Sequence, residues 1–131
     1  MSSATVIWPF GHLQQEKASQ MVLKLWKEDL AKYGDCDTSQ EFKRYLVVRK
    51  ILNRPVTMQS KEVDGLWHRF ILDTRLYRMF CERIFGEYLD HEPGQMLTDR
   101  DFIPTYKLLF GEDPPATWFK RYSEDFDGDC A

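Results

Sequence analysis

Residues 63–93 read VDGLWHRFILDTRLYRMFCERIFGEYLDHEP, and this stretch decides the fold. Its apolar residues recur every three or four positions, which is the spacing of a helix that buries one face. The pattern predicts one helix over 61–72 and a second that is capped by Asp73 or Thr74 and continues to about Leu89. The residues expected to fill the core are Trp26, Trp67, Tyr77, Phe80 and Phe85.

Helical spacing also extends outward from this pair on both sides. Upstream, it predicts helices over about 14–33 and 38–53, and downstream it predicts a helix over about 99–110 followed by a short turn. No segment alternates polar and apolar residues over the length of a strand. The sequence therefore predicts an all-α fold, a single compact bundle of about five helices. The candidate caps and stops are Gly34, Thr38 paired with Glu41, Ser60 and Gly111.

Length and composition bound the class of protein. The chain has 131 residues, of which 43 % are hydrophobic, and this is enough for one domain with a core of its own. We expect one helical domain over 1–131, with an N-terminal strap over 1–11 and an acidic tail over 123–131. The Asp residues of that tail do not complete a calcium loop, because the Gly and Glu that such a loop needs are missing.

Net charge and cysteine content restrict the cellular location and the classes of partner that we expect. The net charge of −3 gives no general attraction to nucleic acid. No apolar run approaches the roughly 20 residues of a membrane span, and the N-terminus does not look like a signal peptide. The three cysteines, Cys36, Cys81 and Cys130, are too few and too scattered for a disulfide framework. We therefore expect a cytoplasmic protein with reduced thiols.

Five basic residues of the second helix form a candidate partner surface: Lys43, Arg44, Arg49, Lys50 and Arg54. They are expected on the outer face of that helix. Such a face is either ordinary solvated surface or a docking site for an acidic partner. Nucleic acid is a weaker alternative, because no Gly-rich loop or outward aromatic platform accompanies the charges.

Asp64 and His68 lie four residues apart and therefore share one helix face. They are either a base held by a carboxylate, two metal ligands, or a structural pair at the edge of the core. If both helices run straight from a turn at Asp73, the helical rise places His91 about 20 Å from His68. Cys81 then lies near the level of Asp64, so Asp64, His68 and Cys81 form the compatible metal trio. Cys81 is alternatively a nucleophile or a buried apolar side chain.

No complete catalytic, nucleotide-binding or metal signature is present in the sequence. We therefore predict a small soluble non-enzymatic module, without a cofactor, that binds or assembles with another protein. The alternative is a metal- or cysteine-dependent enzyme centred on Asp64, His68 and Cys81.

Trp67-His68 and Phe80-Cys81, at their spacing within 63–93, are part of a longer pattern. This pattern resembles the glycine-rich domain-containing protein-like family over about the second half of the chain. The activity of that family is unsettled, so the resemblance implies no catalytic role for any residue.

The chain departs from the pattern at two positions. Asp90 stands where relatives often carry a second His, and Phe70 stands where some carry another. Both differences remove potential metal ligands. The chain also has only seven glycines, none of them adjacent to another.

Overall fold

Helices make up the regular structure of this chain in its computed structural model, which describes residues 11–25, 30–34, 36–91 and 100–119. The helices are α1 (Gly11–Lys24), α2 (Asp37–Leu52), α3 (Lys61–Leu72), α4 (Thr74–Phe85) and α5 (Phe102–Phe110). Short 3₁₀ turns are formed by Ala31–Tyr33 and Ala116–Trp118. No strand occurs in these ranges, and the predicted all-α class of about five helices is confirmed.

Several predicted features lie outside the described residues. They are the acidic tail over 123–131, the core position of Trp26, and the N-terminal strap over 1–11 apart from Gly11, which begins α1. Within the described ranges, no helix combines the length and hydrophobicity that a bilayer crossing requires.

Helix α2 is the centre of the packing and contacts α1, α3 and α5. Its side chains Phe42, Tyr45 and Leu46 are each at most 1 % exposed. Full burial of an aliphatic or aromatic side chain of this size contributes roughly 1.5–3 kcal/mol. The core is therefore organised around α2, with α3 and α5 against it.

Helix α3 forms as its sequence predicts. The Ser60 hydroxyl oxygen accepts a hydrogen bond from the Val63 backbone N–H at 3.1 Å, which caps the first turn. The stripe that begins at Val63 continues through Leu66, Trp67 and Phe70, and all four side chains are buried. This stripe lies against α2.

Helix α4 is shorter than predicted. It ends at Phe85 rather than near Leu89, because Gly86 adopts a left-handed conformation with φ of +77°. The chain then leaves the helix axis, so Leu89 is buried while Tyr88 is exposed. Phe85 is half-buried rather than fully buried.

Three other predicted boundaries also differ. The helix expected over 14–33 is instead α1 followed by the separate 3₁₀ turn, which ends at Gly34 as expected. The Thr38–Glu41 capping box does not form, since no side chain caps the start of α2. Helix α5 begins at Phe102, and its Pro104 lies in the first turn, where a missing N–H is tolerated.

Glu41 has a different role from the predicted cap. Its Oε1 accepts hydrogen bonds from the Tyr106 hydroxyl at 2.7 Å and from Trp118 Nε1 at 2.8 Å. All three residues are buried. Burial, together with the bond to Glu41, raises the pKa of Tyr106, so the phenol stays protonated. This buried carboxylate joins α2 to α5 and to the 3₁₀ turn at Trp118.

The thiols differ from the expectation that all are reduced. Cys36 is disulfide-bonded, and the expectation is wrong at this position. Cys81 is a free thiol in the core.

Candidate functional site: a histidine-walled pocket

The segment 86–91 folds back toward α3 after α4 ends. The hydroxyl of Tyr77 on α4 holds it there, because it donates to the Leu89 carbonyl at 2.7 Å. The same hydroxyl accepts from Trp67 Nε1 at 3.0 Å. One phenol oxygen therefore connects α3, α4 and the returning segment.

His91 comes to rest on α3 as a result. Its Nε2 lies 2.6 Å from Asp64 Oδ1, and its ring lies edge-on to Trp67 with centroids 4.8 Å apart. The His91 side chain is only 9 % exposed, whereas that of Asp64 is 38 % exposed. His91 is therefore an almost buried imidazole fixed by a carboxylate that reaches solvent.

The prediction that His68 and His91 lie about 20 Å apart is wrong. Their ring centroids are 5.8 Å apart. The estimate assumed that α4 continued straight to His91, but the turn at Gly86 reverses the chain first. His68 itself is exposed and lies on the solvent side of this pair.

The pairing assigns the imidazole tautomer. An ionised carboxylate only accepts hydrogen bonds, so His91 Nε2 carries a proton and donates the hydrogen bond to Asp64 Oδ1. The other ring nitrogen, Nδ1, makes no hydrogen bond to any residue in the described ranges. In this tautomer, that nitrogen is left to accept a hydrogen bond from a ligand beside the ring.

A pocket of about 340 Å³ adjoins His91. It lies between the last turns of α2, the loop 55–58 that precedes α3, and the returning segment 87–91. Trp67 and Met58 contribute apolar surface, and Thr57 contributes a hydroxyl. The pocket therefore combines an apolar wall with a positioned imidazole.

Charges of both signs line the same pocket. Arg49 lies on one side, and Glu87 and Asp90 come from the returning segment. None of the three forms an ion pair or a side-chain hydrogen bond with another residue in the described part of the chain. They remain available to a ligand.

The predicted trio of Asp64, His68 and Cys81 does not form a common site. Cys81 is buried beside Tyr77 and the Leu89 backbone, and burial raises the pKa of its thiol, so the reactive thiolate is disfavoured. Asp64 pairs with His91 instead. Across the described residues, no group of three or more His, Cys, Asp or Glu side chains is arranged to hold a metal ion. The enzymatic alternative stays a prediction without a supporting geometry.

The basic residues of α2 do not share one solvent face. Lys43 is fully buried, and its Nζ donates to the Gly34 carbonyl at 3.2 Å. Its predicted outer position is therefore wrong. Arg44 donates to the Tyr106 hydroxyl at 2.6 Å and also pairs with Glu112.

The remaining three basic residues have separate surroundings. Lys50 donates to the Ile84 carbonyl at 2.7 Å, and Arg54 pairs with Asp101 at 2.8 Å. Arg49 lines the pocket. A partner-binding role for these residues stays a prediction, but the structure distributes them over different contacts.

Sequence reasoning missed His91 and Arg49 as neighbours of one site. The available signal was Gly86, whose position directly after Phe85 is typical of a helix stop. A helix that ended there would have allowed His91 to return to α3. No comparable signal in the sequence links Arg49 to the segment 87–91.

Comparison with known proteins places the site within a family. A family model described as UCP032817-like matches residues 10–103. The chain belongs to the UCP032817-like family. The matched region of this UCP032817-like chain includes Asp64, Trp67 and His91 and the whole pocket lining.

The UCP032817-like family has no assigned activity, which agrees with the expectation of a family of unsettled function. Nothing in the match indicates a glycine-rich domain. Searches of the curated proteins and of the solved structures found no match.

Proposed function

We propose that this protein is a non-enzymatic binding module that holds a small polar ligand in the pocket beside His91. The observation that carries the proposal is an imidazole fixed by Asp64 at 2.6 Å in the wall of a pocket of about 340 Å³. Pockets for small molecules start at about 300 Å³ and combine apolar walls with a few positioned polar groups. The wall of Trp67 with His91 and Arg49 fits that description.

The buried state of Cys81 supports a binding role over covalent chemistry. Nucleophilic catalysis by a thiol needs a lowered pKa and access to substrate. Cys81 has a raised pKa, caused first by burial, and it lies in the core. We therefore interpret the Asp64–His91 pair as an arrangement that orients the imidazole to form a hydrogen bond with a ligand.

A fragment screen followed by NMR tests this function. We expect binders that shift the Trp67 indole and His91 imidazole signals of the full chain. Binding should weaken at least roughly tenfold in His91→Ala, because a hydrogen bond to the ligand and a pocket wall are both lost. His68→Ala is the matched control, since His68 is exposed and does not line the pocket. Binders unaffected by His91→Ala would contradict the proposal.

Protein binding is the second candidate function, and the outer face of α4 favours it. Leu72, just before α4, is 69 % exposed, and Met79 is 56 % exposed. Arg75 and Arg78 are exposed beside them, and neither has an ion-pair partner among the described residues. Exposed apolar side chains flanked by unpaired arginines suit an acidic amphipathic segment of another protein.

A synthetic helical peptide of leucine and glutamate provides a direct test of this surface. Fluorescence anisotropy should show binding that weakens at least roughly tenfold in Arg75→Glu with Arg78→Glu. Lys50→Glu on α2 is the comparison, and it tests the face predicted from the sequence. Equal losses in both variants would favour a general charge effect, and no loss in either would exclude this surface.

The predicted cytoplasmic location also stays a prediction. Disulfides are rare in reducing compartments, and Cys36 is disulfide-bonded. Mass spectrometry after rapid alkylation of whole cells distinguishes a reducing compartment from one in which the disulfide persists. A Cys36 thiol that is alkylated in its native compartment would support the cytoplasm, and a protected Cys36 would oppose it.

A further inference from the structure

The pocket beside His91 presents three charged groups that do not neutralise one another. Arg49 comes from α2, while Glu87 and Asp90 come from the returning segment. Arg49 is partly buried, and Glu87 and Asp90 are exposed to solvent. Within the described ranges, none of these three side chains forms an ion pair. A ligand in the pocket therefore meets charged groups of both signs that no neighbouring side chain neutralises.

We infer that the ligand is a small zwitterion that carries a carboxylate and an ammonium group, as free amino acids and short peptides do. The inference rests on the proposed ligand-binding function and names the chemical class that this pocket selects.

Each part of such a ligand has a complementary group in the pocket. The planar guanidinium of Arg49 can bind a carboxylate through two parallel hydrogen bonds. The carboxylates of Glu87 and Asp90 accept hydrogen bonds from an ammonium group, which has donors and no acceptor. Trp67 and Met58 offer apolar surface to the ligand's carbon atoms.

A ligand of one charge sign meets a penalty in this pocket. A simple anion would face the carboxylates of Glu87 and Asp90, and a simple cation would face Arg49. Either ligand would bring a like charge toward one side of the pocket, which opposes binding, and would lack the favourable contact that the zwitterion makes there. We therefore expect singly charged analogues to bind roughly tenfold or more weakly than the parent zwitterion.

Isothermal titration calorimetry of the full chain tests the inference. The probes are the twenty common L-amino acids and their glycyl dipeptides. Each compound that binds is compared with its N-acetyl derivative and its C-terminal amide, which remove one charge at a time. The expected result is saturable binding by at least one zwitterion and a loss of tenfold or more for both derivatives. Derivatives that bind as tightly as the parent overturn the inference, and so does the absence of binding by every zwitterion.

Variants of the charged residues test which group of the ligand each side of the pocket binds. Arg49→Gln should weaken binding of the zwitterion but leave binding of its C-terminal amide unchanged, because the variant loses only the partner of the ligand's carboxylate. The double variant Glu87→Gln, Asp90→Asn should weaken binding of the zwitterion but leave binding of the N-acetyl derivative unchanged. Arg100→Gln and Glu82→Gln are the matched controls, since both residues are exposed and lie outside the pocket lining. Pocket variants that behave like these controls overturn the inference.

The outcomes also separate the two proposals. If the fragment screen yields His91-dependent binders while no zwitterion binds, the ligand class is wrong and the pocket function stands. If no compound of either set depends on His91, both proposals are wrong.

Discussion

His91 Nε2 and Asp64 Oδ1 lie 2.6 Å apart although 27 residues separate them along the chain. The pair fastens the returning segment 86–91 to α3. It also closes one wall of the pocket, since His91 lines that pocket and its ring packs on Trp67. The same contact therefore affects both stability and the shape of the site.

Replacing His91 with Ala is expected to lower the free energy of unfolding by about 2 kcal/mol, because a hydrogen bond to a charged group and the contact with Trp67 are lost. Asp64 is 38 % exposed, so water offsets part of the loss. Urea titration measures the change. His68→Ala, at an exposed position, should remain within about 0.5 kcal/mol of the wild type. Equal effects of the two substitutions would contradict a structural role for the His91–Asp64 pair.

Tyr77→Phe is expected to cost about 1–3 kcal/mol although the ring remains. The substitution removes the acceptor for Trp67 Nε1 and the donor for the Leu89 carbonyl at the same time. A double-mutant cycle with Trp67→Phe isolates the first of these bonds. A coupling energy near zero would show that the indole and the phenol do not interact.

Trp67→Ala should destabilise the protein by roughly 3–5 kcal/mol, because it empties a large site beside Tyr45 and His91. Trp67 is only 3 % exposed, so nearly all of its ring packs against other side chains. Leu72→Ala is the control at a side chain that is 69 % exposed. A loss below about 1 kcal/mol for Trp67→Ala in urea titrations would contradict its core position.

Glu41→Ala should cost about 2–4 kcal/mol, because the Tyr106 hydroxyl and Trp118 Nε1 would both lose their buried acceptor. The expected change in thermal midpoint is downward and larger than for any exposed glutamate. Glu82→Ala provides that comparison on the outer face of α4. Equal midpoints for the two variants would mean that Glu41 does not tie α5 to α2.

Stability should fall as the pH rises above about 9, and Cys81 contributes to this fall. Burial raises the pKa of the Cys81 thiol above its ordinary value of 9.0. Folded and unfolded thiols are both protonated below that value, so stability is fully present there. Above it, the unfolded thiol ionises first and favours unfolding. Tyr77 and Tyr106, with pKa values raised mainly by burial, act in the same direction at higher pH.

The variant Cys81→Ala isolates this thiol. Urea titrations between about pH 8 and pH 10 should show a steeper loss of stability for the wild type than for Cys81→Ala. Parallel curves for the two proteins would mean that the folded state does not perturb the thiol.

Local signals in the sequence were sufficient to predict much of the fold. The stripe from Val63 to Phe70 and the Ser60 cap depend on residues within one or two turns of each other, and these predictions are confirmed. Glycine stops at Gly34 and Gly111 also depend on local backbone conformation, and both hold.

The candidate site depended on contacts that sequence spacing does not contain. Glu41 is suited to a capping box by its local position, yet donors from Tyr106 and Trp118 engage it in the core. Lys43 shows the same limit, because it is fully buried and its Nζ donates to the Gly34 carbonyl, which lies outside α2. Tertiary partners decide the fate of polar side chains whenever several arrangements suit the local pattern.

The returning segment 86–91 has one further consequence. It forms a pocket wall without a helical ladder of its own, and it is attached by the Leu89 carbonyl and the His91 ring. Regions held in this way open at a lower free energy than the packed core. This wall of the pocket would then adjust to ligands of different size while the helical scaffold stays assembled, within the limits set by those two attachments and by the buried Leu89 side chain.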